Sequence, residues 1–277
     1  MLKNKNGVSL KIVAIIVIII LILAGVGITL IFDENDTIQK SRDASKEIGQ
    51  ADKANTQISE YWQEILDKVA SKPNEYKHPE QSKTNKDIGI GTDGKPVNLD
   101  LWYYRINGAG TGIALNESNG SGVRSSGYSN ANITEEGTII GKMPQYIYMY
   151  EKQKIYPVTY VCGVFYNCTK LVTAPELPET ATSLEEAFRG CTNLKTAPEI
   201  PEGVLGGYRD GGLWYTFADC INLTGELIIN SNPSDYTGCF HNAATADDAK
   251  LVVSGKSDIL DKIIETKSEN SHITKEK

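Results

Sequence analysis

The sequence has no excess of basic residues and very little histidine. Lys and Arg total 28 against 35 Asp and Glu, so the formal net charge is −7 at pH 7, and 277 residues include only three histidines. Proteins that bind nucleic acid neutralise its phosphates with clustered Lys and Arg. The acidic balance therefore excludes a typical nucleic-acid partner.

Common catalytic and metal-binding motifs are also missing. Neither G-x-S-x-G nor H-E-x-x-H occurs, and no C-x-x-C pair is present to hold zinc. His78 and His272 lie in polar segments, which leaves only His241 for a folded region. The one G-x-G-x-x-G match, residues 89–94, precedes a proline and opens no helix, which indicates a turn. We therefore predict no catalytic residue, no metal, no cofactor and no enzymatic activity.

A long apolar run lies near the N-terminus. Residues 12–32 contain no charge and would span about 31 Å as a helix at ~1.5 Å per residue, which matches the ~30 Å hydrocarbon core of a bilayer. A secretory signal has a shorter apolar region and an A-x-A-like site, which this run lacks. Three lysines precede it and acidic residues follow, so residues 1–11 are predicted to be cytoplasmic. We expect a single-pass protein of the cell membrane with residues 33–277 outside, where the net charge is −10.

An amphipathic helix is predicted after this run. Asp36 and Gln39 fit a capping box, and apolar residues then recur at helical spacing over residues 33–70. The helix is either a stalk or partner-binding element, or a spacer that packs on the following domain. Residues 71–87 contain two prolines and no aliphatic residue, which indicates a linker.

Residues 88–160 favour β structure. The runs Gln145–Tyr150 and Lys154–Val161 are separated by three polar residues, a pattern typical of a β-hairpin. Residues 107–131 are rich in Gly, Ser and Asn, which indicates turns. We predict a small β-rich region over residues 88–160.

An internal repeat covers residues 161–253. Four phenylalanines are spaced by 23, 29 and 23 residues, and in the first three blocks a Cys follows three residues later and a Leu six residues later. The predicted repeat core is Phe165, Cys168, Leu171, Phe188, Cys191, Leu194, Phe217, Cys220 and Leu223. In the fourth block, which begins its core at Phe240, alanines replace the Cys and the Leu. The period and the F-x-x-C-x-x-L core match the leucine-rich-repeat pattern, in which stacked coils bury shared columns.

The C-terminal segment, residues 254–277, is charged but carries four apolar residues at helical spacing, which predicts a short helix and a tail. The complete prediction is an α+β fold. It comprises an N-terminal transmembrane helix, an amphipathic stalk helix, a small β-rich region and a short leucine-rich-repeat solenoid.

Five cysteines all lie inside the repeat region. Outside the cell a disulfide framework is the usual expectation. Three of them, however, share one repeat column, and free cysteine is among the most buried residue types. Two alternatives therefore stay open: buried thiols throughout, or a bridge that involves Cys162 or Cys239.

The repeat units, F-x-x-C-x-x-L-x-x-A-P-E-[LI]-P, resemble those of BspA-type leucine-rich-repeat surface proteins. Residues 91–102 also resemble the segment that precedes such repeats, so the resemblance covers about residues 90–255. It implies a bacterial cell-surface protein of a family associated with adhesion to host or bacterial surfaces. It does not identify a ligand, because repeat scaffolds bind many different partners.

The stretch Asn6-Gly7-Val8-Ser9-Leu10 before the apolar run resembles a prepilin-type leader of Gram-positive anaerobes. The resemblance implies processing between Gly7 and Val8. Pilins usually carry Glu at the fifth mature position, where this sequence has Ile12. This departure favours simple membrane anchoring over incorporation into a filament.

Large aromatic residues are the best candidates for a binding surface, because interface hot spots are rich in Trp and Tyr. We predict Trp102, Tyr208 and Trp214 for this role, with burial in the β core as the alternative for each. The expected function is a membrane-anchored adhesion or protein-interaction module that recognises host or bacterial surface proteins or glycans. The alternative is a pilin-like subunit of a filament or secretion apparatus.

Overall fold

A computed structural model describes residues 61, 63–115, 128–206 and 212–276, which all belong to one unit, Tyr61–Lys277. The predicted leader, the predicted transmembrane segment 12–32 and most of the predicted stalk helix lie outside these residues. Within the described part of the chain, no helix has both the length and the apolar character needed to cross a bilayer.

A mixed sheet of six strands forms the first half of the unit. Its strands are β1 (Ile88–Ile90), β2 (Pro96–Val97), β3 (Arg105–Ile106), β4 (Ile113–Ala114), β5 (Tyr146–Met149) and β6 (Lys154–Tyr160). The order is β2-β1-β5-β6-β4-β3, and all neighbours are antiparallel except β4 and β6. The hairpin predicted from the alternating pattern is confirmed as β5 and β6, which pair from Met149 opposite Lys154 to Tyr146 opposite Pro157.

A parallel sheet of three strands lies in the second half. Its strands are β7 (Gly225–Ile228), β8 (Leu251–Ser254) and β9 (Ile273–Lys275), in that order. Strand β9 belongs to the segment predicted as a helix and a tail. The helix is present at Leu260–Ile264, but the residues after it return to the sheet instead of extending away.

The last turns of the predicted stalk helix are helical at residues 63–71. Ile65 and Val69 are buried there, in a cluster with Ile88, Ile90 and Tyr148 of the mixed sheet. The sequence leaves two alternatives open for this helix. Its described end packs on the following domain, which agrees with the second of them.

The predicted linker is attached to the same region. It contains the short 3-10 helix Pro73–Glu75, and side chains fix its end to the domain. The Asp87 carboxylate accepts from the Tyr104 hydroxyl and from the Tyr150 backbone N–H, both at 2.8 Å. The Ser82 backbone N–H donates to the Asp100 carboxylate. Residues 71–87 therefore fold back on the domain and do not act as a free spacer in the structure.

The predicted α+β fold with a leucine-rich-repeat solenoid is wrong. In the described residues, α-helix is confined to residue 61, residues 63–71 and Leu260–Ile264, and the rest is mostly β structure and turns. The described residues of the first repeat blocks, 161–206 and 212–224, form mostly turns and contribute no strand. They are joined to their neighbours by isolated bridges such as Thr173–Thr196, instead of one parallel sheet with a strand from every block.

The prolines of the repeat explain this difference. The segment A-P-E-[LI]-P occurs at residues 174–178 and 197–201, where a leucine-rich repeat would place or extend its strand. Proline has no backbone N–H, so two prolines in five residues remove the donors that a ladder needs. Pairing therefore stops at single bridges until the third block, which has no proline at these positions and forms β7.

Backbone hydrogen bonds nevertheless join each repeat block to the next. Gly163 donates to the carbonyl of Glu185 and Phe165 to that of Ala187, both at 2.8 Å. Every second residue donates in the same way between all successive blocks, with donor–acceptor distances of 2.8 to 3.0 Å. The donors are residues 161, 163, 165 and 167 of the first block, 184, 186, 188 and 190 of the second, and 213, 215, 217 and 219 of the third. The backbone N–H groups in the turn of one block thus have their acceptors, which are backbone carbonyls, on the following block.

The phenylalanine rings stack inside these turns. Phe165 and Phe188 have centroids 5.3 Å apart, Phe188 and Phe217 5.5 Å, and Phe217 and Phe240 6.1 Å, with interplanar angles of 12°, 4° and 14°. We call this column the phenylalanine ladder. Stacked aromatic pairs contribute about 0.5–1.5 kcal/mol each beyond the area they bury.

Each ladder ring is followed, two residues later, by a left-handed residue. These residues are Asn167, Gly190, Asp219 and Asn242, with φ between 52° and 75°. Glycine, asparagine and aspartate are the types that adopt this conformation at least cost. The repeated choice of small or amide-like residues after each Phe is therefore a local requirement of the turn.

Both ends of the phenylalanine ladder are covered. At one end Tyr128 lies 5.5 Å and Trp102 6.2 Å from Phe165, measured between ring centroids. At the other end no further block follows in the repeat, and the C-terminal segment takes its place. The Thr266 hydroxyl accepts from the Phe240 N–H at 3.1 Å, and the Ser268 hydroxyl accepts from the Asn242 N–H at 2.9 Å.

Truncation of the central ladder ring tests this arrangement. Phe188→Ala removes a ring that stacks on both faces, so we expect a loss of about 3–5 kcal/mol in the free energy of unfolding. Urea denaturation of the full chain measures it. The control Tyr103→Ala changes a side chain that is 53% exposed and should cost no more than about 0.5 kcal/mol. Equal losses for the two variants would contradict the role of the ladder.

Candidate functional site

The predicted repeat core lies in the interior. All nine of its residues have no measurable exposure: Phe165, Cys168, Leu171, Phe188, Cys191, Leu194, Phe217, Cys220 and Leu223. They form one continuous cluster with the β-rich region and the C-terminal segment. These residues build the framework and do not contact a partner.

The cysteine column has a specific hydrogen-bonding role. The Cys191 thiol donates to the carbonyl of Phe165 at 2.9 Å, and the Cys220 thiol donates to that of Phe188 at 3.0 Å. Burial raises the pKa of both thiols above the ordinary value. Since the thiolate is the reactive form, this column is structural and not nucleophilic.

The structure decides between the two alternatives for the cysteines. All five lie within the described residues, and none forms a disulfide. Cys239 is buried as well, and Cys162 is half-buried with its sulfur 3.2 Å from the Ser183 hydroxyl oxygen. The alternative of buried thiols therefore describes this structure.

One predicted binding residue is not on the surface. Trp102 is 5% exposed, with its ring centroid 4.6 Å from that of Tyr128, where it covers the end of the phenylalanine ladder. Its assignment to a binding surface is wrong, because the first ring of the ladder needs an apolar neighbour. Tyr208, like Gly7 and Val8, lies outside the described residues.

Trp214 does lie partly at the surface, within a larger group. We call Glu186, Arg189, Trp214, Tyr215 and His241 the aromatic stripe. The Arg189 guanidinium forms an ion pair with Glu186 and lies 5.0 Å above the ring of Tyr215. The Tyr215 ring is edge-on to Trp214 at 4.8 Å and to His241 at 6.2 Å.

The repeat geometry brings the stripe together. Glu186 and Tyr215 each stand two residues before their ladder phenylalanine, and Arg189 and His241 stand one residue after theirs. Equivalent positions of stacked blocks are neighbours, so residues far apart in sequence meet on one face. The backbone N–H of Glu186 donates to the carbonyl of Trp214 at 2.8 Å, and this hydrogen bond joins the two blocks.

Charge within the stripe is compensated. Partial burial acts to lower the pKa of Arg189, but the hydrogen bond and the charge of Glu186 outweigh it and raise this pKa above the ordinary value. Glu186 is itself buried. The guanidinium therefore stays charged above the Tyr215 ring, and the two groups form an aromatic and cationic surface.

A second feature is a cleft of about 300 Å³ between loops of the β-rich region and the first repeat block. We call it the threonine cleft; its lining is Thr92, Thr138, Ile139, Gly141, Lys142, Met143, Thr173, Ala174, Pro175 and Glu176. Lys142 donates to the Asp93 carboxylate at 2.7 Å, and this hydrogen bond lowers the pKa of Asp93. Thr92 donates to Glu176 at 3.2 Å across the cleft.

The stripe residues Arg189, Tyr215 and His241 were not predicted from the sequence, although the repeat alignment held the necessary signal. The columns two residues before and one residue after each Phe hold these three side chains, which are partly or fully exposed, although Glu186 and Ala218 in the same columns are buried. No group of three or more His, Cys, Asp or Glu side chains suited to a metal occurs among the described residues.

Comparison of the chain with models of known protein families, with curated proteins and with solved structures found no match. The resemblances to BspA-type proteins and to prepilins therefore stay predictions from the sequence.

Thiol labelling of the native full chain tests the burial of the cysteines. At neutral pH we expect iodoacetamide to modify Cys162 alone, because the other four thiols are buried, and burial raises the pKa of Cys191, Cys220 and Cys239. All five should react in denaturant without reductant, as mass spectrometry would show. Rapid native labelling of Cys191 or Cys220, or fewer than five reactive thiols after unfolding, would contradict this structure.

Proposed function

We propose that this chain is a non-enzymatic adhesion or protein-interaction module of a bacterial cell surface. Its partner is a host or bacterial surface protein, or a glycan on such a surface. The single observation that carries the proposal is the aromatic stripe, in which Arg189, Trp214 and Tyr215 meet on one face of the stacked blocks.

The composition of the stripe supports recognition. Trp, Tyr and Arg are the residues most enriched at the energetic centres of protein interfaces, and aromatic faces also pack against sugar rings. Single exposed apolar residues are common and need no explanation. Here the partly exposed Tyr215 ring contacts both Trp214 and Arg189, and an ion pair with Glu186 orients the arginine.

The rigidity of the stripe supports it further. Glu186 and Tyr215 have left-handed backbones, with φ of 52° and 49°, which hydrogen bonds to the next blocks hold in place. A surface that is already ordered loses less conformational entropy on binding than a flexible loop does. Gly163 and Gly238 have the same conformation at the equivalent position, so the turn of each block fixes the direction of these side chains.

The apolar segment 12–32 and the outward charge of −10 support the location. A segment of this length and flanking charge is suited to attach the chain to a membrane with residues 33–277 outside. The sequence resemblance to surface proteins with F-x-x-C-x-x-L repeats points to the same compartment.

Substitution within the stripe tests the proposal. Full-chain protein is applied to a panel of immobilised extracellular matrix proteins, bacterial surface proteins and glycans. For the partner that binds, Tyr215→Asn should weaken the affinity at least about tenfold, because an interface anchor is worth about 2 kcal/mol or more. Asparagine tolerates the left-handed backbone at this position, so the fold should be kept.

The matched control is Tyr103→Asn, an exposed tyrosine of the β-rich region outside the stripe. Its affinity should equal that of the unmodified chain. Absence of binding to every member of the panel, or equal affinities for the two variants, would overturn the proposal.

A further inference from the structure

The threonine cleft offers a second binding site, separate from the aromatic stripe. Its wall is largely apolar, formed by Ile139, Met143, Ala174 and Pro175. Hydroxyl groups of Thr92, Thr138 and Thr173 lie among them. A concave apolar surface with a few polar groups is the usual form of a ligand site, and about 300 Å³ is enough for one long side chain.

The two charged residues of the lining differ in their partners. Lys142 is already held by Asp93, with 2.7 Å between nitrogen and oxygen. Glu176 is exposed and accepts only a neutral hydroxyl, that of Thr92, at 3.2 Å. Within the described residues no cation forms an ion pair with Glu176, although its charge also acts across the cleft on Lys142 and, after the hydrogen bond and the charge of Asp93, helps to raise the pKa of this lysine.

The chemistry of an occupant follows from this difference. An anion would gain little from Lys142, because Asp93 already compensates the charge of this lysine. A purely apolar side chain would leave the Glu176 carboxylate without a charged partner. A lysine or arginine side chain suits both the apolar wall and the Glu176 carboxylate, because it has an aliphatic stem and a terminal cation.

We propose that the threonine cleft binds a lysine or arginine side chain of a partner protein. The stem lies along Ile139, Met143 and Pro175, and the terminal cation forms an ion pair with Glu176. The net charge of the chain, −7, favours encounter with cationic partners over long distances. This site does not depend on the aromatic stripe, so either proposal stands if the other fails.

Two small probes test the site on the full chain in detergent micelles. The first is Nα-acetyl-L-lysine amide, and the second is Nα-acetyl-L-norleucine amide, which has a similar stem and no charge. NMR of the methyl groups of Ile139 and Met143 follows the titration. We expect the lysine probe to bind with a Kd in the millimolar range, at least about fivefold tighter than the norleucine probe.

A matched pair of variants locates the effect. Glu176→Gln keeps the size of the side chain and should abolish the preference for lysine. Glu199→Gln is the control, because Glu199 is the equivalent exposed residue of the next repeat block and does not line the cleft. It should leave the preference unchanged.

Three results would overturn the proposal. The first is equal affinity for the two probes, which would mean an apolar pocket without charge recognition. The second is an equal effect of Glu176→Gln and Glu199→Gln, which would mean general attraction to an acidic surface. The third is no shift of the Ile139 and Met143 signals up to about 20 mM lysine probe, well above the expected millimolar Kd.

Discussion

The contact between successive turns of the repeat determines most of this structure. Each turn contains a buried phenylalanine that stacks on the ring of a neighbouring block, and the first three turns have alternate backbone N–H groups whose acceptors lie on the next block. Neither contact is made within a block. In an isolated block the donors would be left to water and the faces of the ring would stay exposed, so the free energy gained by burying the ring would be lost. The blocks are therefore stable only as a stack.

The same constraint explains the segments at the two ends. Trp102 and Tyr128 come from outside the repeat, yet they continue the phenylalanine ladder past Phe165. At the other end, Thr266 and Ser268 supply side-chain oxygens where backbone carbonyls would stand in a further block. The surfaces proposed for binding depend on the stack as well, because the stripe consists of neighbouring columns and the cleft has the first block as one wall. A partner that binds there would contact residues whose positions the buried ladder fixes.

The sequence predicted the parts of this structure that repeat or alternate locally. Burial of Phe188, Cys191 and Leu194 follows from their spacing alone, and so does the hairpin of β5 and β6. The solenoid was wrong because the prolines of A-P-E-[LI]-P prevent a strand in the first two blocks, an effect that outweighs the match of period and core. Trp102 was misplaced because nothing local shows that a distant ladder needs an aromatic cover. The cleft was out of reach for a similar reason, since Thr92 and Glu176 meet across 84 residues of chain.

Amide hydrogen exchange on the full chain measures the stacking most directly. The N–H groups of Phe165, Phe188 and Phe217 each donate to a neighbouring block at 2.8 to 3.0 Å and lie in the interior. If the stack is one cooperative unit, these three amides should exchange slowly and with the same opening free energy, equal to that of global unfolding. Rapid exchange of any of them, or opening free energies that differ by several kcal/mol between blocks, would contradict the account.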